Sequence, residues 1–316
     1  MARAHSSPIN PTAKSTSPSV MVSPTRLVKR FVRQTCRHDW KWLLASSALI
    51  WLSAALCLYF LLAYPLAEDP RLVPETIQRA RNVLLVTAHP DDETLFFSPT
   101  ILHGHDNPDV TRALLVLSTG DYNGLGDIRK GEIERSCAAL GIPPPRCVVL
   151  EHGALQDNPK KWWREDVIQD IVAHYVHMWK IDLIFTFDNG GVSGHINHRA
   201  VSAGVVKYAE NFAHTPPVYA LQSTFLLRKY SSLLDLVLTS VPFSWRIAKA
   251  VFTSHGKMFV GGQDPYGDKA LLVSPWRTYL VARAAFSQHA SQYSWDRVLY
   301  LVVSRYMWFN NLYRVG

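Results

Sequence analysis

Cysteine is scarce and unpatterned in this sequence. Four occur in 316 residues, Cys36, Cys57, Cys137 and Cys147, with no Cys-x-x-Cys pair and no finger-like spacing. This argues against a disulfide scaffold or a cysteine-ligated metal module, and all four read as reduced thiols. No Gly-x-Gly-x-x-Gly fingerprint is present either, so Gly120, Gly124 and Gly126 in STGDYNGLGD describe a flexible loop rather than a dinucleotide site. Internal repeats are absent, which removes solenoids and propellers. Charge is missing from one long stretch: Trp42 to Tyr64 contains no Asp, Glu, Lys or Arg.

That stretch is long enough for a helix to cross a hydrocarbon layer of roughly 30 Å. Trp42, Trp51, Tyr59 and Tyr64 place aromatic side chains toward its ends, and Pro65 stops it. A cleaved signal peptide has a shorter apolar core, and a buried soluble helix usually keeps a polar face. Residues 42–64 are therefore read as a single transmembrane anchor. Ahead of it, residues 1–41 form a basic tail that begins rich in Ser, Pro and Thr and is expected to be disordered; Arg26, Lys29, Arg30, Arg33, Arg37 and Lys41 follow. Much of the net charge of +8 sits in that tail, beside the anchor, which favours a membrane surface over nucleic acid. A linker over residues 65–80 leads to a body spanning 81–316.

In the body, apolar runs alternate with amphipathic ones, the pattern of a doubly wound α/β fold with a mostly parallel sheet and helices on both faces. Asn82–Ala88, Arg112–Ser118, Cys147–Glu151 and Asp182–Phe187 read as strands buried on both faces. DIRKGEIERSCAALG, WWREDVIQDIVAHYVHMW and a segment from near His198 to before Pro216 have helical spacing. Residues 225–316 are apolar and aromatic but interrupted by charges. They either pack on the sheet or lie against the membrane beside the anchor.

Ligands of open α/β sheets gather beyond the carboxyl ends of the strands. Two polar clusters stand at such ends: His89, Asp91, Asp92 and Glu93 in AHPDDE, and Asp188, His195 and His198 in DNGGVSGHINHRA. His, Asp and His ligands around zinc leave a position for water that ionises near neutral pH. His89 and Asp92 from the first loop and His198 from the second supply that set. Asp91 then stands beside the ion as general base, and His195 as donor to a developing oxyanion. Glu93 reads as an acidic residue serving a helix N-terminus.

AHPDDE and GHINHRA resemble the LmbE-like zinc deacetylases. The longer strings STGDYNGLGDIRKGEIERSCAALGIP and TFDNGGVSGHINHRAV are similar to the N-acetylglucosaminyl-phosphatidylinositol de-N-acetylases. The resemblance covers residues 80 to 225 strongly and the tail more loosely. It implies an LmbE-like domain over 81–316 that hydrolyses the acetyl group of N-acetylglucosaminyl-phosphatidylinositol, the second step of glycosylphosphatidylinositol anchor synthesis. It also implies Zn2+, or another divalent metal, on His89, Asp92 and His198, with Asp91 as base and His195 at the oxyanion. Arg129 and Lys130 are expected to contact the inositol phosphate, and Asp188 is a further substrate-binding candidate. The expected partners are this glycolipid and the bilayer; no protein partner and no nucleic acid is inferred.

The resemblance implies an endoplasmic reticulum membrane with the catalytic body on the cytosolic face, whereas the basic flank before Trp42 predicts a lumenal body by the positive-inside rule. The expectation follows the resemblance. Alternative readings are a deacetylase of a soluble amino-sugar conjugate and a non-catalytic sugar-lipid-binding membrane subunit. The intact set of ligands and base opposes the latter.

Overall fold

The computed structural model describes residues 24–253 and 264–315. The disorder expected at the start of the tail lies outside the described residues. The chain divides into two units, Met1–Ile50 and Trp51–Gly316. A helix runs over Pro24–Ala63, so residues 24–41, expected as disordered tail, are helical. From Thr25 to Ala63 there is neither glycine nor proline, and Leu, Ala, Arg and Lys are frequent, so nothing local interrupts a helix. Among the described residues one stretch, Trp40–Ala63, is long and apolar enough to cross a membrane.

The unit Trp51–Gly316 is built on a seven-stranded sheet. Its strands are β1 (Asn82–Thr87), β2 (Thr111–Val116), β3 (Cys147–Val149), β4 (Leu183–Phe187), β5 (Val218–Leu221), β6 (Lys269–Val273) and β7 (Phe309–Val315). They lie in the order β3-β2-β1-β4-β5-β7-β6. The first five are parallel, and β7 runs antiparallel to both its neighbours. The register pairs Leu85 with Leu114 and Leu84 with Ile184. Leu84, Leu85, Leu114, Leu115 and Ile184 are fully buried, each contributing about 1.5–3 kcal/mol of apolar burial.

The expected helices form over Gly126–Ala139, Glu165–Trp179 and Ile196–Asn211. Between the last two, Gly204 permits close approach, because a Cβ there would stand 2.5 Å from the Ile168 Cβ. The strand order reverses between β1 and β4, the place where such sheets open a crevice.

A disulfide joins Cys137 to Cys147, correcting the expectation of reduced thiols at these positions. Gly141, at φ 72°, turns the chain out of its helix, and a turn over Pro144–Arg146 returns it to β3. The two Cα atoms are thereby brought to 6.3 Å, a return that a separation of ten residues does not announce. Cys57 is free and exposed, while the Cys36 side chain lies outside those described.

After β5 the chain forms short helices, Leu226–Lys229, Asp235–Ser240 and Ser244–Phe252, and later Trp276–Phe286 and Trp295–Val303. This region both completes the sheet and presents apolar side chains outward. Phe225, Leu227, Trp245, Phe252 and Trp295 are between 63% and 84% exposed. The Trp51 indole N–H donates to the Leu234 carbonyl at 3.1 Å.

Candidate active site

Immediately after β1, the Asp92 carboxylate turns back on its own loop. Its Oδ2 accepts the backbone N–H groups of Ala88 at 3.1 Å and His89 at 2.8 Å. Its Oδ1 lies 3.3 Å from His198 Nε2, and the His89 Nδ1 is 3.9 Å from Oδ2. Asp91, between them in the fold, has φ 100°, a left-handed conformation that costs a non-glycine residue about 1–3 kcal/mol. Its N–H donates to Glu93 Oε2 at 2.9 Å, and its carbonyl accepts the Thr94 hydroxyl and the Leu95 N–H, each at 2.9 Å. The strain is thus held by the loop's own hydrogen bonds.

Glu93 is more than a helix-end charge. It is fully buried, and its Oε1 accepts the Ser136 hydroxyl and bonds His289 Nε2, both at 2.7 Å. Burial opposes ionisation, yet the His289 partner holds the Glu93 carboxyl below its ordinary value. One carboxylate thereby ties the first loop to the helix Gly126–Ala139 and to the far C-terminal region.

The second loop, after β4, is shaped by Asp188. Its carboxylate accepts the N–H groups of Gly190 at 3.0 Å, Gly191 at 3.1 Å and Ser223 at 2.6 Å. Gly191, at φ 56°, has no room for a side chain, because a Cβ there would lie 2.9 Å from that of His198. The Gly191 carbonyl accepts the His198 Nδ1–H at 3.1 Å, which leaves His198 Nε2 facing Asp92, and the ring stacks on Phe187 at 4.3 Å. Burial and the neighbouring His89 push His198 well below its usual value, so it is neutral.

The third strand end also contributes. Asp157, in the loop after β3, lies 3.1 Å from His89 Nε2, which turns the other nitrogen of His89 toward Asp92. His89 is buried, which lowers its pKa, but Asp157 and Asp92 together raise it above its ordinary value. The Asn197 amide nitrogen is 3.4 Å from Asp157 Oδ1. His195 caps the helix Ile196–Asn211, its Nδ1 accepting the Asn197 N–H at 3.3 Å. Burial, then His89, depresses His195, so the ring is neutral and its proton sits on Nε2.

These side chains share a cavity of about 340 Å3, within the range of small-molecule sites. It is lined by His89, Asp91, Asp92, Arg129, Asp157, His195 and His198 on one side and by Lys229, Tyr230, Arg297 and Tyr300 on another. Ligand atoms of His89, His195 and His198 all fall within 4.8 Å of one another. The structure therefore brings together His89, Asp91, Asp92, His195 and His198.

Arg129 reaches the cavity but is held by protein. It donates to the carbonyls of Gly120, at 2.9 Å, and Pro90, and stands 3.7 Å from Asp91 Oδ2. A Cβ on Gly120 would lie 2.1 Å from this guanidinium. Lys130 and Asp188, expected at the substrate, do not line the cavity. Lys130 pairs with Glu151 and Asp127, and Asp188 holds the Gly190–Gly191 turn. Asp157, Asn197, His289, Lys229, Arg297 and Tyr300 were not singled out from sequence. Only Asp157 had a readable signal, its position just beyond a third parallel strand.

The profile of the PIG-L family, described as GlcNAc-PI de-N-acetylase, matches residues 84–209. The chain is 40% identical over 233 residues to the N-acetylglucosaminyl-phosphatidylinositol de-N-acetylase of Bos taurus, covering 73% of this chain and 82% of that protein. It is 32% identical over 249 residues to the enzyme of that name from Saccharomyces cerevisiae, covering 72% and 80% respectively. A more distant likeness is the crystal structure of the zinc inhibited form of teicoplanin deacetylase Orf2, with TM-score 0.49 and 11% identity over 74% of this chain and 98% of that one. With both loops of the site inside the matched segment and most of the bovine protein's length covered, the chain belongs to the GlcNAc-PI de-N-acetylase family.

Proposed function

We propose that this protein is a metal-dependent hydrolase that removes the acetyl group from N-acetylglucosaminyl-phosphatidylinositol, giving glucosaminyl-phosphatidylinositol and acetate. The observation that carries the reading is the meeting of His89, Asp92 and His198, with Asp91 and His195 alongside, at one cavity between β1 and β4. The relatives' names supply the substrate class.

The donor set suits a divalent cation. His89 and His198 each have one ring nitrogen engaged by an acceptor, Asp157 or the Gly191 carbonyl, and the other turned toward Asp92. Burial, against the pull of His89 and with Asp91 and Glu93 adding to it, raises the Asp92 carboxyl above its ordinary value. His89, Asp92 and His198 would hold the ion, and Zn2+ fits their nitrogen and oxygen donors. Bound there, such an ion supplies Lewis acidity toward a carbonyl and lowers the pKa of water.

The protein's own groups do the rest. Asp91 takes a proton from the attacking water and later delivers it to the leaving amine as the carbon–nitrogen bond breaks. Arg129 fixes the loop carbonyls on either side of that carboxylate. His195 donates its Nε2–H to the acetyl oxygen as charge develops there, an interaction stronger in the transition state than in the substrate. Acetate release from the glycolipid by detergent-purified protein, run with metal analysis, tests the reading. Release together with a stoichiometric divalent metal supports it, and protein that leaves the glycolipid intact at full metal loading overturns it.

The apolar helix ending at Ala63 supports membrane association, and we place the enzyme in the endoplasmic reticulum membrane with its catalytic unit on the cytosolic side. The basic flank and the Cys137–Cys147 bond, which is favoured in oxidising compartments, weigh toward the lumen. Protease treatment of sealed microsomes decides: digestion of the catalytic unit supports the cytosolic placement, and protection reverses it.

A further inference from the structure

One wall of the cavity carries two cations that form no ion pair among the described residues. Lys229 is only 7% exposed, yet its ammonium has no carboxylate partner among the described residues and instead lies over three rings: Phe96 at 5.5 Å, Tyr230 at 5.5 Å and Tyr300 at 5.7 Å. Arg297, on the helix Trp295–Val303, lines the same wall and forms no ion pair among the described residues. Burying one cation without a counter-charge is costly, and setting a second beside it adds repulsion. The ring contacts offset part of that cost, but placing the two like charges together does not stabilise the fold. The neighbouring arginines show the contrast, since Arg228 and Arg305 both pair with Asp235.

The position of these two cations explains their presence. Across the cavity stand Asp91, Asp92, Asp157 and the histidines. On its other side, Lys229 also lines a groove with Phe225 and Leu226, which are 63% and 69% exposed. The protein thus presents, in sequence, a hydrolytic centre, a pair of free cations and an exposed apolar ridge. An acetamido sugar joined through a phosphodiester to acyl chains has the same order of groups.

We propose that Lys229 and Arg297 form a subsite for the phosphodiester of the substrate, the aromatic rings around Lys229 holding its ammonium toward the cavity. This inference rests on the function proposed above and adds to it the groups that select a phosphate-bearing glycolipid over a neutral amino sugar. It also reassigns phosphate recognition from Arg129 and Lys130, whose charges are committed to protein partners.

The test compares kcat/KM for N-acetylglucosaminyl-phosphatidylinositol with that for the phosphate-free N-acetylglucosaminyl-inositol, in neutral detergent micelles, for wild type, Lys229→Met, Arg297→Gln and Lys229→Arg. Each neutral variant is expected to lower the ratio of the two values about tenfold or more, through KM for the phosphate-bearing substrate, and Lys229→Arg to restore most of it. A ratio that stays at the wild-type value in both neutral variants overturns the inference. So does a loss seen only in vesicles containing anionic lipid, because the cations then read the bilayer and not the substrate.

Binding of glycerophosphoinositol to the metal-loaded, detergent-purified protein gives a readout independent of turnover. Weakening by either neutral variant, with inorganic phosphate binding no more tightly than before, supports the subsite. Equal binding by all variants removes it. Wild-type protein that hydrolyses neither substrate but binds glycerophosphoinositol through Lys229 and Arg297 would retire the proposed reaction and leave the subsite standing.

Discussion

Residues 82–221 and residues 225–315 face the same cavity with different chemistry. The first region is the parallel sheet and its loops, and it brings imidazoles and carboxylates that are bonded to one another and to backbone. The second brings Lys229, Arg297, Tyr230 and Tyr300, with these two cations in no ion pair among the described residues and apolar side chains turned outward. On the function and subsite proposed above, the difference assigns reaction and recognition to separate stretches of chain. The separation is not complete, because the late region also braces the first loop through His289 on Glu93.

The sharpest test of that division is Asp91→Asn. Removing a general base of this kind costs about 10²–10⁴-fold in turnover, and Asn, like Asp, tolerates the left-handed backbone at φ 100°. The expected result is protein of unchanged metal content and melting temperature with kcat reduced by that factor for lipid and soluble substrates alike. A loss confined to the lipid substrate would place Asp91 in recognition and blur the two regions.

His289→Ala asks the converse, whether the late region also supports the reacting loop. It leaves Glu93 buried without its counter-charge, a change that costs about 3–5 kcal/mol of stability when a buried pair loses one member. Denaturant unfolding should report it. His289→Gln, which keeps a donor, should recover part. A near-neutral His289→Ala would mean that the two regions are joined elsewhere.

A smaller and more specific effect concerns pH. Burial, then the nearby Arg297, pushes Lys229 down to about 8. The groups around it are Arg297, His198 and the phenols of Tyr230 and Tyr300, and His198 is neutral through this range. Lys229 is therefore charged below pH 8 and neutral above it. KM for the phosphate-bearing substrate should rise as pH passes through about 8, while KM for the phosphate-free analogue stays level. A level profile for both would detach Lys229 from the anion.

Smallest in expectation is Leu226→Asp on the apolar ridge, which should raise KM several-fold for substrate in vesicles and leave the soluble analogue unaffected.

The parallel half was legible in sequence because strands covered on both faces read as continuous apolar runs, and β1, β2 and β4 start and stop within two residues of the expected limits. That His89, Asp91, Asp92, His195 and His198 line one cavity was legible for the same reason, since each follows such a run. The other half was not. β7 contains Asn310 and Asn311 and does not look like a sheet strand. Its place depends on partners far away in sequence, Asn310 bonding the Thr100 hydroxyl at 2.7 Å and the Phe96 carbonyl at 2.9 Å. Lys229 and Arg297 appeared only as charges interrupting apolar segments. What made them informative, a shared cavity wall without counter-charges, exists only once the chain has folded.

The position of β7 has a consequence for biogenesis. Phe309–Val315 is inserted between β5 and β6, strands made well before it. Until that segment leaves the ribosome, two strand edges stand open, and such edges invite pairing with other chains. The nascent protein therefore carries an unfilled slot from the time β6 is made until β7 follows it, and β6 joins the sheet only when the slot is taken. A chain that stops before β7 would leave the β5 edge open and β6 without a strand partner, the kind of edge that invites pairing with another chain.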